Sequence, residues 1–272
     1  MQKRFPGVLT AVLALAAMPL AAQNARPAAA AALPATVAGH PNLSGLWQSL
    51  GTSDWDIQGH GAEGGPLINQ MGVLDTQPPG VGIVEGEEIP YLPAALAQKN
   101  KNHADRWKED PVIKCYMPGI PRANYMPYPF EIIQSQKDIL FAYEFGSENR
   151  VVHMGKAEEA VTDTWMGTSN GRWEGNTLVV EVTGFNGMAW FDRAGNYASD
   201  NLKVTERWSL IDPNTMNYEA TIEDPKTFSR PWKVNTVLYR HREKNARMLE
   251  FKCVEFVEEL IYGGLRKKVL GK

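Results

Sequence analysis

From Phe130 toward the C-terminus, apolar and polar residues alternate with a period of two over much of the chain. The clearest run is 202–211, LKVTERWSLI. Leu202, Val204, Glu206, Trp208 and Leu210 share one face, and Lys203, Thr205, Arg207 and Ser209 share the other. Such alternation predicts a half-buried strand. The same pattern predicts strands over Ser44–Ser49, Phe130–Gln134, Ile139–Phe145, Arg150–Met154, Thr164–Thr168, Thr177–Thr183, Leu202–Ile211, Met216–Glu223, Trp232–Arg240 and Met248–Phe256. Short polar turns (SQKD, EGN, DPNT, EKNA) separate many of them. The fold class read from this meander is all-β, an antiparallel barrel of about eight to ten strands.

The pattern changes before Phe130. Residues 23–40 are rich in Ala and Pro and read as a flexible leader. Residues 41–256 read as a single barrel domain interrupted by a long, lid-like insertion, 50–128. Its first part, 51–90, is rich in Gly and Pro and lacks periodicity, which marks functional or irregular segments. Residues 93–107 predict a helix with Pro93 in the first turn, where its missing N–H is no loss. The segment 115–130, CYMPGIPRANYMPYPF, carries Pro118, Pro121, Pro127 and Pro129, which forbid regular helix. The tail, 257–272, predicts a short helix ending in a basic cluster.

Composition narrows the picture further. The 272 residues carry 28 basic and 31 acidic side chains, a net charge of −3. No basic stripe points to nucleic acid. Lys3 and Arg4 precede an apolar run, Val8–Leu20, and Ala21-Ala22 follows, so residues 1–22 predict a secretory signal peptide and a periplasmic or secreted protein. The run is too short and alanine-rich for a membrane span. Export gives the two cysteines, Cys115 and Cys253, an oxidising environment and a slight preference for a disulfide over two buried thiols. Without matched histidines they make a poor zinc site. The five histidines show no ligand spacing, so neither metal nor cofactor is expected.

Several motifs in order, CYMPGIPRANYMPYPFEIIQ, TWMGTSNGRWEGNTLVVEVTGFN, WFDRAG with SDNLKVTERW, and YEATIEDPKTFSRPWK, resemble a large family of exported bacterial proteins. The resemblance covers roughly Cys115 to Cys253 and implies a lipocalin-like barrel. Gly45-Leu46-Trp47 is similar to the Gly-x-Trp that opens lipocalin barrels. The family pattern carries histidines where this chain has Asn196–Ala198 and Lys203, so the resemblance implies no histidine-held metal here.

Candidate chemistry starts from Glu206. A lone carboxylate on an apolar face is costly unless it is paired or protonated. It reads either as a proton-transferring residue or as the partner of an interior arginine, Arg150 or Arg240. Asp192 and Arg193 fall in an interstrand loop, the place where barrels carry function, or form a simple turn pair. His153 lies on a strand and is the assisting acid or base, or a satisfied structural residue. Tyr125, Tyr128, Trp165, Trp190 and Trp232 line an aromatic cavity, or contribute ordinary core. No nucleophile elbow, phosphate loop or dinucleotide fingerprint is present.

Together these features predict an exported barrel that takes a small apolar or aromatic molecule and performs cofactor-free lyase or hydrolase chemistry. Glu206 moves the proton, Asp192 or His153 assists, Arg193 holds an anionic or phenolic oxygen, and Arg150 is a further substrate-binding residue. The alternative is a non-catalytic carrier in which Glu206 is a structural charge. Assembly into a homo-oligomer is open.

Overall fold

A computed structural model describes residues 36–64 and 76–262. The predicted signal peptide, most of the leader, part of the Gly/Pro-rich insertion and the basic end of the tail lie outside the described residues. The core is a closed nine-stranded barrel. Its strands are β1 (Gly45–Ser49), β2 (Phe130–Gln134), β3 (Asp138–Tyr143), β4 (Asn149–Met154), β5 (Thr168–Glu174), β6 (Thr177–Thr183), β7 (Lys203–Asp212), β8 (Thr215–Glu223) and β9 (Trp232–Arg240). The order around the barrel is β6-β7-β8-β9-β1-β2-β3-β4-β5, closing back onto β6.

Two features depart from the meander expected. Every neighbouring pair is antiparallel except β4 and β5, which run parallel. The connection 155–167 carries the chain back past β4 before β5 starts. Consequently Thr164 makes only an isolated bridge to Phe185, and the strand begins at Thr168 instead. The second departure is Met248–Phe256, which forms no strand. A closed barrel presents no free edge for another strand to join. This segment instead lies over the barrel end and is fastened by a disulfide between Cys253 and Cys115.

The strands carry the predicted faces. Along β7, Val204, Glu206 and Trp208 are fully buried, and along β8, so are Met216, Tyr218, Ala220 and Ile222. Register places Glu206 opposite Ala220 on one side and Val180 on the other. Ala220 leaves space beside the carboxylate. Trp47, Phe130, Ile132, Phe141, Trp208 and Tyr218 fill the barrel, each burial contributing about 1.5–3 kcal/mol. Interiors of barrels this size are normally filled by side chains or hold one small ligand.

The insertion is docked onto this barrel. Ile57, Val84 and Ile89 join the main core, and Val84 and Tyr91 bridge to Val234 and Phe228. Helix α1 (Pro93–Ala104) begins on Pro93 as predicted, and a four-residue helix, α2 (Arg106–Glu109), follows it. Asn102 Nδ2 donates to the Gly195 carbonyl at 3.2 Å. Gly195 sits at φ +86°, and a Cβ there would lie 2.7 Å from Asn102, so only glycine lets the 190s loop approach α1 this closely. The chain described ends in α3 (Val257–Tyr262). No helix among the described residues is long and apolar enough to cross a membrane.

Candidate functional site

Three polar constellations are embedded in the aromatic core. The first surrounds Glu206. Arg150, on β4, reaches across the barrel and engages both carboxylate oxygens: Nη1 lies 3.3 Å from Oε1, and Nη2 contacts Oε2. Arg150 Nε donates to Ser169 Oγ at 2.8 Å. Tyr218 Oη donates to Glu206 Oε1 at 2.8 Å, and Asn124 Nδ2 donates to the same oxygen at 2.8 Å. Tyr143 Oη in turn donates to Asn124 Oδ1 at 2.8 Å. Burial opposes the Arg150 cation, but the Glu206 carboxylate and Tyr143 together outweigh it, so its pKa is raised. Burial pushes both phenols, Tyr143 and Tyr218, above their ordinary range. Each therefore keeps its proton and remains a donor.

Asn124 comes from the proline-rich segment, which turns inward through a short 3-10 turn at Arg122–Asn124. The segment plugs the barrel. Glu206 has no exposed surface, and Asn124 is 1 % exposed. The carboxylate is thus the counter-ion of Arg150 within a satisfied network, as buried charges require.

The second constellation lies under the 190s loop. Asp192 is fully buried. Its Oδ2 accepts from the Ile57 amide at 2.9 Å and from Asn196 Nδ2 at 2.6 Å, and its Oδ1 accepts from the Asn196 amide at 3.1 Å. Tyr91 Oη donates to Asn196 Oδ1 at 3.0 Å, and Tyr125 Oη donates to the Phe191 carbonyl at 2.7 Å. Burial, reinforced by repulsion from Asp56, pushes the Asp192 carboxyl up to about 7. Asp192 thereby pins the insertion to the barrel through Ile57.

The third constellation is a charge relay at the barrel end. Arg122 is 1 % exposed. Its Nη1 and Nη2 donate to Asp110 at 2.8 and 2.9 Å, and its Nε donates to Asp54 Oδ1 at 2.8 Å. Asp54 Oδ2 stands 3.7 Å from Arg193 Nε. The Arg193 guanidinium lies over the Trp55 ring at 4.5 Å. Asp192 and Arg193 are therefore neighbours in sequence with separate roles, one facing the core and the other the rim.

Two cavities receive the remaining predicted residues. A cleft of about 430 Å³ opens at the rim, with Tyr128 and Arg193 in its wall. Tyr128 packs against Phe145 and Phe251, whose rings lie 5.5 and 5.1 Å away, and Asp54 and Arg193 form the polar end beside Trp55. The outer wall is the disulfide-fastened strap, through Phe251, Cys253 and Val254, with Val257 of α3 beside it. A second cavity, of about 350 Å³, lies in the barrel wall and is bordered by Arg150, His153 and Trp165. His153 pairs with Glu158 at 3.6 Å.

The predicted residues thus do not converge on one cavity. Tyr125 and Trp232 are sealed in the core, Trp232 packing edge-on against Phe191 at 5.6 Å, and Trp190 is 9 % exposed. Alternation on β7 located Glu206. Asn124 and Arg122 were missed, although two polar residues in an apolar, proline-rich stretch were a visible signal. Phe251 was missed because its segment read as a strand. Among the described residues, no three His, Cys, Asp or Glu side chains are grouped as metal ligands. No known family model matches this chain, and no curated protein matches it.

Proposed function

We propose that this is an exported, lipocalin-like barrel protein that binds a small apolar or aromatic molecule in its rim cleft. The carrying observation is the cleft itself. Tyr128, Phe145 and Phe251 give a ligand an apolar wall, and Arg193, held over Trp55, offers a cation to an acidic or phenolic oxygen. Small-molecule sites combine those features: mostly apolar walls with a few placed polar groups. The plugged interior and the paired state of Glu206 favour retention of the ligand over acid–base turnover at that carboxylate.

The test uses purified mature protein. Tryptophan fluorescence is followed during titration with anilinonaphthalene sulfonate and with phenolic acids, aromatic dimers, phenolic esters and glycosides, and each compound is then weighed by mass spectrometry. Saturable binding of unchanged compound, weakened about tenfold or more by Tyr128→Ala or Phe251→Ala, is the expected result. Binding indifferent to both substitutions places the ligand elsewhere. Turnover that disappears in a folded Glu206→Gln variant restores the enzyme reading.

A further inference from the structure

The wall cavity is a different site, and its origin lies in how β4 is paired. On the β3 side, the ladder covers β4 from Asn149 to His153. On the β5 side it covers only Val152–Met154. The chain before β5 bends away: Gly167 sits at φ +69°, its amide donates to Thr164 Oγ1 at 2.9 Å, and a Cβ on it would meet the Thr183 carbonyl at 2.8 Å. A seam therefore opens in the wall beside Asn149–Val151. Pairing alternates along an antiparallel strand, and the Tyr143 amide bonds the Glu148 carbonyl, so the backbone groups of Asn149 and Val151 turn toward this seam.

The chemistry of the seam is uneven in a useful way. One side is aromatic: Trp165 stacks on the half-exposed Tyr116, with centroids 5.0 Å apart and planes at 11°. Asn149, His153, Thr168 and Ser169 add hydrogen-bonding groups to the same lining. Arg150 borders the cavity, but Glu206 already neutralises it from within. Glu148 lines the cavity and the exposed Glu158 pairs with His153 on its border, and these carboxylates disfavour an anion. We infer that this seam binds a neutral pyranose ring, free or as the sugar of a glycoside. Its C–H face stacks on Trp165, and its hydroxyls meet Asn149, His153 and Thr168. A flat aromatic face beside several donors and acceptors matches a ligand with one apolar face and a polar edge.

The experiment takes the mature, disulfide-intact protein and titrates methyl glucopyranoside, methyl galactopyranoside, methyl xylopyranoside and glucuronate. Readouts are tryptophan fluorescence and saturation-transfer NMR. Expected are saturable binding of at least one neutral pyranoside, saturation of its ring C–H protons, and binding that persists at saturating anilinonaphthalene sulfonate. Trp165→Ala should weaken it about tenfold or more, and Asn149→Ala should weaken it severalfold. Asn149 is exposed, so its variant decides the matter even where Trp165→Ala unfolds. No saturation transfer to any neutral pyranoside, preference for glucuronate, displacement by the naphthalene sulfonate, or binding unaffected by Asn149→Ala would each overturn the assignment.

Discussion

Replacing Glu206 with glutamine removes one charge and almost no volume, so it isolates what the carboxylate does. The fully buried Arg150 then keeps its cation with no counter-ion among its described contacts. Breaking a buried pair from one side costs about 3–5 kcal/mol, because the orphaned charge remains desolvated. The substituted side chain still accepts from Tyr218 and Asn124 through its amide oxygen, so those two bonds survive. Its amide nitrogen, however, faces the Arg150 Nη2 donor in place of an acceptor. For a domain of this size a loss of that order lowers Tm by about 6–20 °C. Removing the arginine as well, in Arg150→Met/Glu206→Gln, should recover much of the loss, giving a coupling energy of about 2 kcal/mol or more. Urea unfolding of the four proteins measures this cycle. A Glu206→Gln variant as stable as the parent, or losses that simply add, would refute the counter-ion role.

The other predictions concern the remaining constellations. Asp192 has a folded pKa of about 7 against an ordinary 3.8, so the folded state holds its proton more tightly. Its contribution is complete below about pH 4 and is lost as pH rises to about 7; Asp192→Asn should flatten that slope in unfolding measured across the range, and an unchanged slope counts against the assignment. Arg122→Met should cost about 3–5 kcal/mol by stranding Asp110 and leaving Asp54 only the more distant Arg193, with chemical denaturation as the check. Asn124→Ala leaves Tyr143 without its acceptor and should cost about 1–3 kcal/mol. The Cys115–Cys253 bridge spans 138 residues, and closing such a loop is worth up to about 5 kcal/mol in the chain-entropy model. Reduction should lower Tm and expose 244–255 to protease; resistance unchanged by reductant would show that the strap is held without the bond.

Much of the barrel was legible because its longest strands alternate and the others are short apolar runs between turns. β6, β7, β8 and β9 were located to within a residue or so; β7 and β8 alternate along most of their length, and β6 and β9 are rich in β-branched and apolar residues. The Glu206 anomaly was legible for the same reason: period-two burial leaves no doubt about which face a residue takes. β5 was displaced because TWMGT is apolar enough for a strand, while the crossover and Gly167 that bend it away act through tertiary contacts. Met248–Phe256 failed for a global reason, because closure of the barrel removes the edge it would have joined. The partner of Glu206 was narrowed to two arginines and no further. Choosing Arg150 over Arg240 requires knowing how far around a closed barrel β4 stands from β7. The plug was illegible for a related reason. Prolines state that 115–130 is not helix, but not that it turns inward.

That plug segment is pinned twice. Outside, Cys115 is bonded to the strap that walls the rim cleft; inside, Asn124 is hydrogen-bonded to Glu206 at the barrel centre. In mechanical terms residues 115–124 are a lever with one arm in the cleft wall and the other in the core. A ligand bulky enough to push Phe251 outward loads the covalent arm, and the displacement has a short route to the innermost charge pair. Amide exchange on β7 would register that load: faster exchange with the cleft filled and the disulfide intact, and no change once it is reduced.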